Sequence, residues 1–293
     1  MLELQDLSIP QIPLLVKFLG KYPRISCDYS ICNLMTWGKI YKNQYAVWKD
    51  HLILVNPKYG YLFYPVGPGL DTDGIRELFE SYREQEPEAE LILLPEDWET
   101  INPGLDEHFV ITDERDWSDY VYSVERMVNL SGKKLAKKKN LVSQYARNYP
   151  DYHVVPVTRD KADMIITFTE KWKRERNAEG IYLNTEFNAI RNTLEMWDDI
   201  PVEGLIICHQ HSISAYSIFS PMTRDMATVH FEKFDPDMKG SAQIIYWETA
   251  RHLQKCYKWV NREQDMGLEG LRQAKMSYDP DLLVKFITAK PRN

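Results

Sequence analysis

Three β-type runs follow one another between Gly204 and Phe234 with very little chain between them: Gly204–Gln210, Ser212–Pro221 and Met226–Phe234. This stretch reads as a strand meander, and helical patterns bracket it. His153–Val157 reads as a strand, and Lys161–Asn177 and Thr185–Trp197 as helices ahead of the meander. After it come a helix over Gly240–Gln254, a strand over Tyr257–Asn261, a helix over Leu268–Met276 and a final strand over Leu283–Thr288. The first 125 residues show a similar order. Ile12–Leu19 and Tyr29–Ile40 look helical, and Gln44–Lys49, His51–Asn56 and Tyr59–Pro65 strand-like. Asp71 starts a helix running to about Glu86, with Ile75, Leu78, Phe79 and Tyr82 on one face; Leu91–Leu94 and Asp119–Val124 are strands. The order of elements repeats although the sequence does not. We therefore expect an α+β fold of two lobes, 1–125 and 126–293, each a mixed, mostly antiparallel sheet flanked by helices.

With 44% hydrophobic and 27% charged residues, the chain has the composition of a globular protein. No run approaches the ~20 apolar residues of a membrane span. Met1 to Pro13 carries Glu3 and Asp6 and no basic cluster, unlike a signal peptide. Cys27, Cys32, Cys208 and Cys256 form no CxxC pair, and we expect reduced thiols in a cytoplasmic protein. The net charge of −7 is unevenly spread. Asp71 to Glu125 holds eighteen acidic residues against three arginines, whereas Ser131 to Tyr149 holds five lysines and Arg147 with no acid. Such a switch marks two surfaces with different duties or two lobes that attract each other; solvated faces would give the same count.

Three segments carry candidate chemistry. In NREQDMGLEGLRQAKMSYDP (261–280), a strand ends at Asn261, a polar loop brings Glu263 and Asp265, and a helix begins near Gly267. Leu268, Leu271, Arg272 and Lys275 fall on one helical face, which would turn two cations inward with the leucines. Buried cations need anionic partners, and Asp265 and Glu263 are nearest in sequence. The cluster serves equally as an internal salt bridge or as a polar cleft floor. In SGKKLAKKKNLVSQYARNYP (131–150), Ser131 is a plausible N-cap, and Lys133, Lys137, Asn140, Gln144 and Arg147 form a polar stripe flanked by Lys138 and Lys139. A lysine stripe without acids suits a phosphate-bearing partner such as a tRNA acceptor end or a lipid head group, or simply solvent. In HFEKFDPDMKGSAQIIYWETA (230–250), a strand delivers Glu232, a candidate general base, and Lys239, Gly240 and Ser241 open a helix whose free N–H groups could hold an anion. Coenzyme A acetyltransferases typically carry a two-glycine loop at this junction; Gly240 is the one glycine here.

Other signals are weaker. His209 and His211 share one strand face without a third ligand, so no metal is expected. Trp172, Lys173, Arg174 and Arg176 suggest a phosphate-binding corner or ordinary charge at a helix end. There is no GxSxG, Walker loop or GxGxxG.

Taken with DYSICNLMTW (28–37) and DERDWSDYVYSVERMVNLSGKKLAKKKN (113–140), the later motifs resemble the family related to the C-terminal domain of bacterial phosphatidylglycerol lysyltransferases, over about Asp28 to Lys285. The resemblance implies two tandem GNAT (acyl-CoA N-acyltransferase)-like lobes, also similar to the peptidoglycan-branching aminoacyltransferases. It further implies aminoacyl transfer from aminoacyl-tRNA, with Asn261, Glu263, Asp265, Gly267, Arg272 and Lys275 as the matching motif and Lys138, Lys139 and Asn140 as the upstream basic element. No cofactor beyond the acyl donor is needed. On this reading the donor sits near Lys239–Ser241, the acceptor near Asp265, Arg272 and Lys275, and Glu232 or Asp265 takes a proton. Coenzyme A-dependent acetylation of a small amine and a non-catalytic ligand-binding role are the alternatives.

Overall fold

The computed structural model describes residues 2–175, 181–210 and 212–292. His211 and Arg176, singled out above, lie outside the described residues. In chain order the N-terminal part contains β1 (Gln5–Asp6), α1 (Ile12–Lys21), α2 (Ile31–Tyr41), β2 (Gln44–Trp48), β3 (His51–Asn56), β4 (Tyr61–Phe63), α3 (Thr72–Arg83), β5 (Glu90–Leu94), α4 (Trp98–Ile101), α5 (Leu105–His108) and β6 (Phe109–Asp113). There follow β7 (Asp119–Ser123), α6 (Val124–Asn129), α7 (Ala136–Asn148), β8 (His153–Pro156), α8 (Ala162–Glu175), α9 (Ile181–Glu195), β9 (Glu203–His209), β10 (Ser212–Pro221) and β11 (Met226–Phe234). The chain closes with α10 (Ser241–Leu253), β12 (Trp259–Asn261), α11 (Glu269–Met276), β13 (Leu282–Val284) and β14 (Ile287–Pro291).

Among the described residues these strands form two mixed, mostly antiparallel sheets of seven, ordered β1-β2-β3-β4-β5-β14-β6 and β13-β7-β12-β11-β10-β9-β8. Two strands cross between them. β7 leaves the N-terminal half and pairs between β12 and β13, while β14 returns from the C-terminus and pairs between β5 and β6. A cut at 125/126 therefore separates β7 and β14 from their own halves. The expected single strand over 283–288 is instead two short strands, one in each sheet, with Phe286 between them.

Alternation fills both faces of each sheet. Leu205 and Ile207 pack with α6, α7 and α10, while Ile206 and Cys208 pack with α8 and α9. In the first sheet Ile53 and Val55 face Ile75, Leu78, Phe79 and Tyr82 of α3, and Leu52 and Leu54 face α1 and α2. Asp71 caps α3 as expected, its Oδ1 accepting the Gly74 N–H at 2.8 Å. Ser131 is no cap. Ser123 caps the short α6, Leu130 ends it in the left-handed region (φ 45°), and α7 begins only at Ala136. Among the described residues, no helix is long and apolar enough to cross a membrane.

Candidate active site

β11 and β12 run parallel and pair over three residues, Met226–Thr228 against Trp259–Asn261. β12 then ends, β11 runs on to Phe234, and the chain leaves Asn261 through a turn in which Glu263, Met266 and Gly267 hold φ values of 59°, 54° and 71°. Gly267 is required twice over: its φ disfavours a side chain, and a Cβ there would lie 2.8 Å from Asp116 Oδ2. This turn sends its side chains in three directions.

Toward the other lobe go Asn261 and Glu263. Asn261 donates to Asp119 Oδ2 (2.7 Å) and to the Ile25 carbonyl (3.0 Å), and its own Oδ1 accepts the Glu263 N–H (2.7 Å). Asp119 also accepts the Cys27 N–H (2.7 Å) and thiol (3.2 Å). Burial, reinforced by Asp28, pushes the Asp119 carboxyl up to about 7 against these hydrogen bonds. Glu263 Oε1 accepts from Asn33 (2.8 Å) and meets His230 Nδ1 (2.8 Å), whose other nitrogen meets Ser220 Oγ (2.7 Å). Burial opposes charge on His230, but the Cys32 thiol and Glu263 carboxylate outweigh it and raise its pKa. Asn261 and Glu263 thus join the lobes through a polar seam.

Asp265 turns to α11. Its fully buried carboxylate takes a two-pronged contact from Arg272 (Nε and Nη2, both 2.8 Å), the Gly267 N–H (2.9 Å) and the Tyr120 hydroxyl; Arg115 stands at 3.5 Å. Burial alone would raise its pKa, yet the bonds from Arg272, Tyr120 and Gly267 hold it at about 2. A carboxylate so low and so fully engaged is a poor proton acceptor, which corrects the expectation of Asp265 as a base. The leucines do not lead the cations inward either: Leu268 is 50% exposed. Lys275 turns in without meeting an acid. Among the described residues no carboxylate lies within ion-pair distance of it; its ammonium donates to the Arg262 carbonyl and sits over the Tyr120 ring. Burial, with Arg262 adding, lowers Lys275 to about 8.

Arg262, which sequence reasoning passed over, takes the third direction. It reaches back across the gap where β11 and β12 part and donates to Glu232 Oε1 at 2.8 Å, both side chains being more than four-fifths buried. Its guanidinium lies 4.0 Å from the centre of the Tyr246 ring, which stacks on Tyr278 at 3.9 Å. Burial works against the Arg262 charge, but Glu232 outweighs it and raises the pKa. Glu232 Oε2, Arg262 Nη1 and the Tyr246 hydroxyl are buried without a hydrogen-bond partner among the described residues. Arg262 sits in the same motif as Asn261 and Glu263; its place between two candidates was the available signal.

At Lys239–Ser241, the expected donor site, the glycine packs against α7. Ser241 Oγ donates to the Asp235 carbonyl (2.6 Å), and α7 lies against the helix start, so a Cβ on Gly240 (φ 94°) would come 2.6 Å from the Leu141 carbonyl oxygen. Gly240→Val should therefore act on folding first, costing about 2–5 kcal/mol through strained backbone and overpacking in a denaturant melt. Lys239 stays exposed. Of the basic stripe, Lys133, Lys137, Lys139, Asn140 and Arg147 are exposed, Gln144 is half-buried, and Lys138 lies over the Tyr278 ring at 4.2 Å. None of these lines the cleft between the lobes; Lys139 borders a separate groove between α7 and α10. His209 packs edge-on against Tyr149.

Two helix-flanked mixed sheets, joined by a polar seam, define a tandem GNAT-like fold. Within that class, the chain belongs to the family of phosphatidylglycerol lysyltransferase C-terminal domains, whose profile matches residues 20–289. The chain is 28% identical to a conserved protein of unknown function from Bacteroides thetaiotaomicron VPI-5482, covering all of both chains with a TM-score of 0.92. The structure of L-PGS from Bacillus licheniformis aligns at a TM-score of 0.67 with 12% identity, over 97% of this chain and 93% of that one. FemX aligns at 0.63 with 8% identity, over 97% and 96%. Those two low identities bear on the fold alone. A curated relative, the uncharacterised protein MYCGA3080 of Mycoplasmoides gallisepticum (strain R(low / passage 15 / clone 2)), is 20% identical over 169 residues, 57% of this chain; the chain spans about half (54%) of that relative's length.

Proposed function

We propose that this chain transfers an aminoacyl group from aminoacyl-tRNA to an amine or hydroxyl acceptor. The observation that carries the reading is the buried Glu232–Arg262 pair with one free carboxylate oxygen and one free guanidinium nitrogen. Native interiors rarely leave such atoms unpaired; an ester carbonyl oxygen would accept from the guanidinium nitrogen, and the N–H or O–H of the nucleophile would donate to the carboxylate oxygen. Arg262 would stabilise the negative charge that develops on the ester carbonyl oxygen. Glu232 would take the proton lost by the nucleophile as its nitrogen or oxygen bonds to the ester carbon, and would pass it to the ribose oxygen as the bond from the ester carbon to that oxygen breaks. Lys275 and Tyr120 are positioning residues: the Lys275 ammonium donates to the Arg262 carbonyl, and the Arg262 N–H donates to the Tyr120 carbonyl at 2.8 Å. Membership of the lysyltransferase family supports an aminoacyl donor, and the packing of Gly240 against the Leu141 carbonyl speaks against a diphosphate there.

The test is to mix the full chain with a pool of labelled aminoacyl-tRNA and a panel of amine and hydroxyl acceptors, following label into acid-soluble product. Transfer is expected from aminoacyl-tRNA, with no calorimetric heat from coenzyme A. Product formed from acetyl-CoA alone would replace this reading with acetyltransfer.

The exposed stripe on α7 would hold the tRNA backbone. Changing Lys133, Lys137 and Arg147 together to Gln should weaken tRNA binding and flatten the slope of log affinity against log salt by about 2–3 units. An unchanged slope in filter binding would leave these side chains as a solvated face.

A further inference from the structure

A cleft of about 420 Å³ opens between the lobes. Its lining is strongly aromatic. Trp37 stacks on Tyr41 and on Tyr182, with centroids 6.1 Å apart in both pairs, and Tyr59 meets Tyr41 edge-on at 5.5 Å. Asp28 and Glu263, one from each lobe, supply carboxylates to the same lining. Asn43 and Asn56 line it as well; they are 8% and 6% exposed, and each has an amide oxygen with no hydrogen-bond partner among the described residues. Among the described residues the cation of the lining is Lys58, whose ammonium lies 5.0 Å from the Tyr41 ring centre and 5.3 Å from that of Tyr59.

Aromatic faces attract cations, carboxylates attract them more, and unpaired amide oxygens call for N–H donors. Burial, with Glu263 contributing, raises Asp28 to about 6 against the hydrogen bonds from Ser26 and Gln264. A phosphate group there would meet two carboxylates and the negative faces of several rings. We propose that this cleft takes a ligand bearing an alkylammonium group, so that the acceptor is an amine rather than an anionic lipid head group. Lys58 already shows that the wall holds an ammonium, and it stands where an incoming one would be repelled. Naming the acceptor rests on the transfer reading; the binding does not, since it is measured with no donor present.

The experiment is calorimetric titration of the full chain at pH 8 with cadaverine, 1-pentanol and glycerol phosphate. Cadaverine should bind, pentanol about tenfold or more weaker, and glycerol phosphate not at all. Asp28→Asn, close in shape, should weaken cadaverine about tenfold, and Lys58→Ala should tighten it about threefold. If Asp28→Asn melts early, Lys58→Ala decides alone, because it removes an exposed side chain. Equal binding of pentanol and cadaverine, no heat with cadaverine, or glycerol phosphate binding that Lys58→Ala weakens would each overturn the proposal. Tight cadaverine binding without transfer from aminoacyl-tRNA would instead count against the transfer reading and leave the site standing.

Discussion

Asp265→Ala is expected to lower the unfolding free energy by about 3–5 kcal/mol, the usual cost of removing one partner from a buried charge cluster. Asp265 is fully buried and receives Arg272 twice, the Gly267 N–H and the Tyr120 hydroxyl. Its removal leaves the Gly267 N–H and the Tyr120 hydroxyl without their acceptor at once, while Arg272 keeps Asp116. Asp225→Ala is the control, because the Lys258–Asp225 pair is 74% and 52% exposed at its two side chains and should change stability by less than about 1 kcal/mol. Denaturant melts of both variants, measured side by side, make the comparison. A loss at Asp265 no larger than at Asp225 would contradict the buried clamp. The pH dependence has a definite sign. Asp265 is held near 2, below the 3.8 of an ordinary aspartate, so its contribution is complete above about pH 4. It should drain away as pH falls through about 2, and the Asp265→Ala chain should lack that part of the acid transition.

The second large effect concerns turnover. Glu232→Gln keeps the size of the side chain and an oxygen for Arg262, and it removes the capacity to accept a proton. Transfer should fall about 10²–10⁴-fold, the range for losing a general base. The drop should appear in kcat with KM little changed, since Gln keeps the size of the side chain and the bond to Arg262. Single-turnover release of label from aminoacyl-tRNA reads this directly. A Glu232→Gln chain that retains transfer within about threefold would remove Glu232 from the chemistry. A rise in KM alone would make it a binding group.

Local pattern made much of this architecture readable. The meander at Gly204–Phe234, the Asp71 cap and the α3 stripe appear almost as expected, because alternation and capping act over a few residues. The 261–275 motif was readable as a charged cluster, and Arg272 does meet Asp265. The identity of its inward partners was not. Lys275 found a backbone carbonyl instead of an acid, and Arg262 crossed to Glu232 because β12 stops three residues after it begins to pair. Residues 283–288 carry one apolar pattern, with no glycine or proline to mark that its two ends join different sheets. Pairing over such sequence distances leaves no local trace. The cleft aromatics likewise come from α2, the β3–β4 turn and α9, and only the assembled lobes bring them together.

The two crossing strands set an order of events for synthesis. β5 and β6 flank a place in their sheet that β14 fills, Ile287 pairing with both Leu94 and Asp113. As the chain leaves the ribosome, residues 90–113 emerge with that place empty and two strand edges bare. They wait while the whole second sheet is made. Bare edges invite pairing with other chains, and late, distant closure is slow. A nascent chain stalled before Ile287 should therefore be the aggregation-prone and chaperone-dependent form, and the N-terminal lobe should become protease-resistant only after Pro291 has cleared the exit tunnel.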